Sequence, residues 1–418
     1  MIVRGALRVP GDKSISHRSL IFSALAEGES RITGILQSAD VHSTAGVLRA
    51  LGVSVPALSE DFDVRGRGRV LSQPTVDLDC GNSGTTTRLM AGVIAALPVT
   101  ATFIGDASLS RRPMRRVARP LEAMGATVDL PPHGGLPMRI RGGALHELEW
   151  ASEVASAQIK SAILFAALVS GVRAWVTEPS RSRDHTERML QARGASITVS
   201  GTSVTLDAGS PLAPLDVNVP GDPSSASFFA GLAALAQGGD LRLEHVCVNE
   251  TRTGFFAVLG QMGAQVTESN RRIEGGEWVA DIDVAPGELR AVTVSEEQIP
   301  AMIDELPLLA CLASRAAGTT VITGAGELRV KESDRIAAVV SNLRAIGVHA
   351  EELPDGMRIE GADAPLRGRV VTHGDHRLAM AFGVLGATDN AEIEVDDRDC
   401  VGVSYPGFWT DLDAVVAG

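Results

Sequence analysis

A short motif recurs five times along this chain of 418 residues: a leucine, three further residues, a glycine, and then alanine or valine. Its glycines are Gly52, Gly125, Gly194, Gly263 and Gly347, which lie between 69 and 84 residues apart. A glycine that closes a helical stretch takes the left-handed conformation and lets the chain turn into a strand. The spacing is too long for a solenoid, so the motif predicts a duplicated α/β unit.

A second recurring feature is a helix start rich in Gly, Ser, Thr or Asp. Such starts occur at 11–14, 81–85, 155–158, 221–225, 298–305 and 373–377. Several are followed by bodies that are apolar on every side, at 162–169, 228–236 and 306–313, and this pattern is typical of buried helices. The six starts predict six α/β units, of which five carry the glycine motif.

The six units divide into two groups of three. The segment Val-Pro-Gly-Asp occurs at 9–12 and again at 219–222, in each case between a strand-like stretch and a polar helix start. We therefore predict an α/β fold with two similar lobes, each built from three repeated units with buried helices and mixed sheets. Residues 11–219 would form an inserted lobe, residues 1–10 with 220–418 would form the other, and the active site would lie in the cleft between them.

Composition excludes several classes of function. The net charge of −13 argues against nucleic-acid binding, and 4% aromatic residues with no long apolar stretch argue against membrane association. The four cysteines are widely separated, so we expect reduced thiols in a cytoplasmic protein rather than a metal or redox centre. Neither a coiled coil nor an exposed apolar stripe is evident, so we expect a monomer.

The cationic residues indicate an anionic ligand. Lysine and arginine together number 38, and three of them are lysines: Lys13, Lys160 and Lys331. Each lies in a segment of small and polar residues, as expected where a compact ammonium group is required. Helix N-termini also attract anions, so converging polar starts would bind a multiply anionic ligand. No nucleotide-binding or zinc motif is present, so we expect neither a metal nor a cofactor.

Seven short segments together resemble the enolpyruvyl transferases. They are GDKSISHR at 11–18, GNSGT at 81–85, RPM at 112–114, SAQ at 156–158, RDHT at 183–186, KESDR at 331–335 and DHR at 375–377. The resemblance runs from about residue 8 to 408. It implies transfer of the enolpyruvyl group of phosphoenolpyruvate to the 5-hydroxyl of shikimate 3-phosphate, by addition and elimination of phosphate, in chorismate and aromatic amino acid biosynthesis.

The resemblance also implies roles for individual residues. Proton transfer would involve Lys13, Asp304 and Glu332. Shikimate 3-phosphate would be bound by Lys13, Ser14, Arg18, Ser156, Ala157, Gln158, Arg183, Asp304 and Lys331. Phosphoenolpyruvate would be bound by Lys13, Gly84, Arg112, Gln158, Arg335 and Arg377, because carboxylate and phosphate groups suit the arginine fork. Structural roles are expected for Lys160, which braces its helix, for Arg88, which pairs with a carboxylate, and for His376, which orients Arg377.

The chain departs from one branch of the family at two positions. Val403 stands where that branch has a lysine that reaches phosphoenolpyruvate, and Ala157 stands where it has a second serine. Two alternatives stay open. One is the transferase that acts on UDP-N-acetylglucosamine, although Ser14 and the cysteine-free segment 105–112 do not fit it. The other is a non-catalytic anion-binding protein on the same fold.

Overall fold

The computed structural model describes residues 1–417, over which the chain divides into two compact units. The unit that we call terminal consists of residues 1–10, 220–272 and 278–417. The unit that we call inserted consists of residues 11–219 and 273–277. The chain passes from one unit to the other within the two Val-Pro-Gly-Asp segments, and again on either side of residues 273–277.

Short strands account for the sheets of both units. In chain order they are β1 Gly5–Leu7, β2 Glu27–Thr33, β3 Asp61–Arg67, β4 Leu78–Asp79, β5 Thr100–Ile104, β6 Thr127–Asp129, β7 Met138–Arg141, β8 Leu148–Ala151, β9 Ala174–Thr177, β10 Ile197–Ser200, β11 Ser203–Leu206, β12 Val217–Asn218, β13 Leu241–Cys247, β14 Gln265–Glu274, β15 Glu277–Ala285, β16 Thr293–Val294, β17 Thr319–Ile322, β18 Ala350–Leu353, β19 Gly356–Glu360, β20 Leu366–Val370 and β21 Ala391–Val395.

The helices alternate with these strands. They are α1 Lys13–Leu25, α2 Ala39–Ala50, α3 Gly84–Ala95, α4 Ala107–Arg111, α5 Arg115–Met124, α6 Ala157–Ser170, α7 His185–Ala192, α8 Pro223–Leu235, α9 Gly254–Met262, α10 Leu306–Ala313, α11 Arg335–Ala345, α12 His376–Gly386 and α13 Phe408–Ala417. Shorter 3-10 helices lie at Glu296–Ala301, Ile303–Glu305, Gly326–Val330 and Asp399–Val403. None of the helices in residues 1–417 is long and apolar enough to span a bilayer.

The sheets repeat one topology. Those of the inserted unit have the strand orders β12-β2-β3, β4-β5-β7-β6 and β10-β11-β9-β8, and those of the terminal unit have β1-β13-β15-β14, β16-β17-β19-β18 and β20-β21. The pairs β4–β5, β8–β9 and β16–β17 are parallel, and the later strands of each of these sheets are antiparallel. A parallel pair needs a crossover, which α3, α6 and α10 supply. This arrangement confirms the predicted fold class of repeated α/β units with mixed sheets.

The sheets that contain β1 and β12 each include a strand from a distant part of the sequence. β1 leads through α1 to β2, yet β1 pairs in parallel with β13, which lies beyond α8. Conversely, β12 leads into α8 but pairs in parallel with β2. Each of these two sheets therefore combines segments that are far apart in the sequence.

The repeated glycine ends a helix at all five motif positions. Each of the five glycines has a positive φ, between 80° and 114°, which an L-residue with a side chain rarely adopts. At Gly125 and Gly263 the glycine is itself the residue that caps the helix, α5 and α9 respectively. The interpretation of the motif as a helix end is confirmed.

The apolar helices lie in the core of each unit. In the inserted unit, α3 packs against α6 so closely that a Cβ atom at Gly92 would overlap the carbonyl of Ala162. In the terminal unit, α8, α10 and α12 contact one another within one hydrophobic core. The predicted buried bodies are thus confirmed, and their packing fixes where the polar helix starts lie.

Candidate active site

Side chains cap the polar N-terminal ends of three helices in the inserted unit, namely α1, α3 and α6. Asp12 accepts from the N–H of Ile15 at 2.8 Å, Ser83 accepts from Thr86 at 3.1 Å, and Ser156 accepts from Ile159 at 3.5 Å. A cap satisfies one N–H group and holds the first turn in place, while the helix dipole still favours an anion there. These three starts carry most of the predicted site residues of this unit.

Lys13 is the first residue of α1. Its ammonium forms an ion pair with Asp40 on α2, and about a quarter of the Lys13 side chain is exposed. The carboxylate of Asp40 is nearly buried, so the pair ties α1 to α2 while the lysine remains accessible. Ser14 follows Lys13 in the same turn, and its carbonyl accepts from Arg18 at 3.1 Å.

Arg18 is buried, and neutral groups hold its guanidinium. Nε donates to Thr186 Oγ1 at 2.7 Å, and Nη2 donates to Ser161 Oγ at 2.8 Å. Burial lowers the pKa of Arg18 to about 10, although Glu187 opposes that change from a distance. At neutral pH the group is still charged. Its direct hydrogen-bond acceptors are neutral, while the carboxylates of Glu187, Asp12 and Glu277 act on its charge from a distance.

Gln158 lies in the first turn of α6, and its side chain contacts α3. Its Oε1 accepts from Arg88 Nη1 at 2.7 Å, and its Nε2 donates to Thr85 Oγ1 at 3.2 Å. Arg88 therefore orients a predicted site residue. The contact with the amide oxygen does not test the expected pairing of Arg88 with a carboxylate, which stays a prediction.

Guanidinium groups converge on Gly84 at the start of α3. A Cβ atom built at Gly84 would lie 2.8 Å from Arg88 Nη1 and 3.5 Å from Arg112 Nη1. Arg112 in turn donates to Asn82 Oδ1 at 2.9 Å. The absence of a side chain at Gly84 thus leaves room for these guanidinium groups beside the start of α3.

Arg183 lies in the loop before α7, where it is half-buried. Its positive charge is close enough to lower the pKa of Arg18, so the two cations share a neighbourhood. In the same loop Asp184 pairs with Arg181 at 2.6 Å and with Arg188 at 2.9 Å. The loop is therefore held by charged pairs around Arg183.

In the terminal unit, a dense ion network surrounds Arg335 at the start of α11. Its side chain is 1% exposed and forms a two-pronged pair with Asp375, at 2.8 and 3.1 Å. Glu332 lies 2.7 Å from Nη2, and Asp304 lies 3.4 Å from Nη1. Burial alone would lower the pKa of Arg335, but Glu332, Asp375 and Asp304 raise it, so the guanidinium is permanently charged.

Asp304 joins the remaining predicted residues of this unit. Its carboxylate lies 3.4 Å from Lys331 Nζ and 3.9 Å from Arg377 Nη2. Arg377 Nη1 also donates to the Asp304 carbonyl at 3.0 Å. The structure thus brings Asp304, Lys331, Glu332, Arg335 and Arg377 into one cluster, which is the grouping that the sequence motifs predict.

Comparison with known proteins identifies the family. The model of the family described as EPSP synthase (3-phosphoshikimate 1-carboxyvinyltransferase) matches residues 2–412. This match covers nearly the whole chain. The chain belongs to the EPSP synthase family.

Relatives and solved structures agree with this membership. A 3-phosphoshikimate 1-carboxyvinyltransferase of Sulfurihydrogenibium sp. is 48% identical over 99% of this chain and 97% of its own length. One of Alkalilimnicola ehrlichii is 48% identical over 97% of this chain and 92% of its own. The structure of EPSP synthase from Acinetobacter baumannii has a TM-score of 0.89 and 40% identity, and the match covers 99% of this chain and 96% of that one. Membership of the EPSP synthase family does not favour the alternative transferase that acts on UDP-N-acetylglucosamine.

Several residues that contact the predicted site residues were not assigned a role from the sequence. Asp40, Ser161, Thr186 and Glu178 lie outside the assigned roles, and Asp375 was quoted in a motif without a role. Asp375 could have been assigned, because an aspartate just before α12 is a typical N-cap. The partners of Arg18 could not have been assigned from the sequence, since 143 and 168 residues separate them from Arg18.

Proposed function

We infer that the chain carries out the reaction for which its family is named. It transfers the enolpyruvyl group of phosphoenolpyruvate to the 5-hydroxyl group of shikimate 3-phosphate and releases phosphate. The product leads to chorismate and the aromatic amino acids. Both substrates carry several negative charges, so their binding requires cations and helix starts rather than apolar surface.

One observation supports this function most strongly. Arg18 is buried and charged, and its guanidinium donates hydrogen bonds to neutral groups. It lies on α1, whose first residue is Lys13. A buried charge is costly unless something compensates it. The carboxylates of Glu187, Asp12 and Glu277 already compensate part of this charge, and Arg183 opposes it, so an anionic substrate next to the two arginines would add compensation.

We propose that the inserted unit binds most of shikimate 3-phosphate. Ser156, Ala157 and Gln158 form the start of α6, where backbone N–H groups favour a phosphate. Arg18 and Ser14 would contact the shikimate ring or its substituents, and Arg183 would add charge to the phosphate. From the terminal unit, Asp304 and Lys331 would complete the set of contacts.

We propose that phosphoenolpyruvate is bound by residues from both units. Gly84, Arg112 and Gln158 would contribute from the inserted unit, while Arg335 and Arg377 would contribute from the terminal unit. The fork of each guanidinium matches a carboxylate or phosphate group. Lys13 would touch both substrates, since its ammonium is partly exposed at the start of α1.

The reaction requires proton transfers in both of its steps. In the addition, the 5-hydroxyl oxygen bonds to C2 of phosphoenolpyruvate, the hydroxyl proton leaves, and another proton joins C3. In the elimination, a proton leaves the new methyl group and the C2–O bond to phosphate breaks. We assign these transfers to Lys13, Asp304 and Glu332, because each is held near the predicted substrate contacts by an ion pair.

We also propose that the protein acts as a cytoplasmic monomer and that residues of both units act on the same pair of substrates. The four free cysteines support a reducing compartment. The distribution of site residues over both units supports a shared site.

Phosphate release tests the proposed function. Mixing the protein with phosphoenolpyruvate and shikimate 3-phosphate should release phosphate, whereas either substrate alone, or UDP-N-acetylglucosamine as the acceptor, should not. Release with UDP-N-acetylglucosamine would favour the alternative transferase, and no release at all would favour a non-catalytic protein. A folded protein that fails with shikimate 3-phosphate would therefore contradict the proposal.

A matched pair of variants tests the assignment of Arg112. Arg112→Met should raise the KM for phosphoenolpyruvate by roughly 10- to 100-fold, because a charge-assisted hydrogen bond is worth about 1.5–3 kcal/mol. Arg115→Met removes an exposed arginine of the same segment, and it should leave that KM unchanged. Equal KM values in the two variants would withdraw Arg112 from the site.

A further inference from the structure

A group of buried charges lies directly behind the start of α6. Lys160 Nζ lies 2.7 Å from Glu178 Oε2 and 2.8 Å from Glu187 Oε1, and the three side chains are 2–3% exposed. We call these three residues the buried triad. Burying such charges costs several kcal/mol per ion, and apolar residues often stabilise a fold equally well. Stability alone is therefore a weak reason for the triad.

The triad contacts the start of α6 through Glu178. Its Oε1 accepts from the backbone N–H of Ser156 at 2.8 Å, and Ser182 Oγ donates to its two carboxylate oxygens at 2.7 and 2.8 Å. Ser156 is the N-cap of α6. Lys160 thus holds a carboxylate that fixes the backbone at the first residue of the proposed phosphate site.

The triad also borders the acceptors of Arg18. Ser161 follows Lys160 on α6, and Thr186 precedes Glu187 on α7. The hydroxyl groups of Ser161 and Thr186 lie 2.6 Å apart and accept from Arg18. The pairing of Lys160 with Glu187 joins the same two helices, so it sets the distance between those hydroxyl groups.

The charges of the triad suit this arrangement. Burial opposes the ammonium of Lys160, but Glu187 and Glu178 more than offset it and raise its pKa. Glu187 also favours the charged form of Arg18 without being a direct hydrogen-bond acceptor for it. The guanidinium therefore stays charged while its direct acceptors remain neutral.

We propose that Lys160, Glu178 and Glu187 are positioning residues that hold the Ser156 amide and the Arg18 guanidinium in register for shikimate 3-phosphate. The proposal rests on the proposed function. It also explains why a lysine persists here in a chain rich in arginine. A compact ammonium with tetrahedral donors fits between two carboxylates in a closed space, whereas the larger planar guanidinium does not.

The test compares binding of the two substrates in Lys160→Met. We expect the Kd for shikimate 3-phosphate alone, measured by calorimetric titration, and its KM to rise at least about tenfold, the size of one lost hydrogen bond to a charged group. The KM for phosphoenolpyruvate should change by less than about twofold. The variant Lys160→Arg, which keeps the positive charge, should bind shikimate 3-phosphate as weakly as Lys160→Met.

Ile163→Val is the matched control, because it weakens the packing of α6 without touching the triad. We expect it to lower the melting temperature while both KM values stay as in the wild type. If Lys160→Met instead shifted both KM values equally, in step with a lower melting temperature, the triad would be structural only and the proposal would be overturned.

Ser182→Ala keeps the proposal testable if Lys160→Met does not fold. This variant leaves the ion pairs intact and removes only the hydroxyl group that donates to Glu178. It should raise the Kd for shikimate 3-phosphate about two- to tenfold, and an unchanged Kd would count against the proposal. Wild-type protein that releases no phosphate would contradict the proposed function itself, whatever these variants do.

Discussion

Replacing Arg193 by methionine should stabilise the protein. Arg193 ends α7 and is 1% exposed, and its three side-chain nitrogen atoms have no hydrogen-bond acceptor within residues 1–417. Its guanidinium lies 5.2 Å from the centre of the Phe22 ring, which belongs to the same helix as Lys13 and Arg18. The charge is thus buried with an aromatic face as its compensation.

The pKa change sets the size of the effect. Burial lowers the pKa of Arg193 to about 10, well below the ordinary value of an arginine. That difference corresponds to roughly 3 kcal/mol against the charged form, since each unit of pKa is worth about 1.4 kcal/mol. The variant also loses the cation–π contact with Phe22, which destabilises it by about 0.5–2 kcal/mol. We therefore expect Arg193→Met to raise the free energy of unfolding by about 2 kcal/mol at neutral pH.

The pH dependence has a definite sign. The folded pKa lies below the unfolded one, so below about pH 10 the arginine is charged in both states and its full cost is present. Above about pH 10 Arg193 loses its proton in the folded state, so the cost of burying its charge falls. The free energy of unfolding of the wild type then rises toward that of the variant. The advantage of Arg193→Met should therefore be constant from neutral pH to about pH 9 and should shrink above about pH 10.

Urea unfolding measures the difference between the variant and the wild type. Arg65→Met removes an exposed arginine of the same unit, so it should change the free energy of unfolding by less than about 0.5 kcal/mol. A loss of stability in Arg193→Met would refute the reasoning, because it would mean that the guanidinium has favourable partners, such as buried water, that outweigh its desolvation.

Three further predictions concern activity. Lys13→Arg should fold, as circular dichroism would verify, yet lose more than about nine-tenths of phosphate release, since a guanidinium does not give up its proton; higher activity would exclude Lys13 from proton transfer. Gly84→Ala places a methyl group 2.8 Å from Arg88 Nη1. The resemblance to the enolpyruvyl transferases implies that glyphosate, a longer molecule than phosphoenolpyruvate, competes with it. The added methyl group should therefore raise the inhibition constant of glyphosate by roughly 5- to 100-fold, and by a larger factor than the KM for phosphoenolpyruvate. Equal factors would place Gly84 away from the inhibitor. Because we propose that residues of both units bind the same substrates, adding shikimate 3-phosphate should draw the units together and lower the radius of gyration in solution scattering. An unchanged radius would contradict this closure.

The sequence was sufficient to predict features with a local cause. The five glycine turns follow from backbone sterics, and the capped helix starts follow from one or two side chains near the turn. One start was less regular than expected: residues 296–305 form 3-10 helices, and α10 begins at Leu306. Pro300 and Pro307 explain this, because proline lacks the N–H that a continuous α-helix requires.

The partners of the site residues could not be predicted, because they depend on tertiary packing. Nothing near Arg18 in the sequence indicates Ser161 or Thr186, and nothing near Lys160 distinguishes Glu187 from the other glutamates of the chain. The five arginines at positions 111, 112, 115, 116 and 119 also divide in a way that periodicity does not show. α4 ends at Arg111, so Arg112 turns to Asn82, whereas Arg115 lies exposed at the start of α5.

The exchange of β1 and β12 between sheets has a consequence for synthesis on the ribosome. The partner of β1, β13, is made more than two hundred residues after it, so β1 leaves the ribosome well before it can pair. The inserted unit can assemble most of its sheets before then, and β12 closes its first sheet at Val217–Asn218. During that interval β1 is an unpaired edge attached to a nearly complete domain. Its brevity, three residues, limits the chance that it pairs with a neighbouring nascent chain.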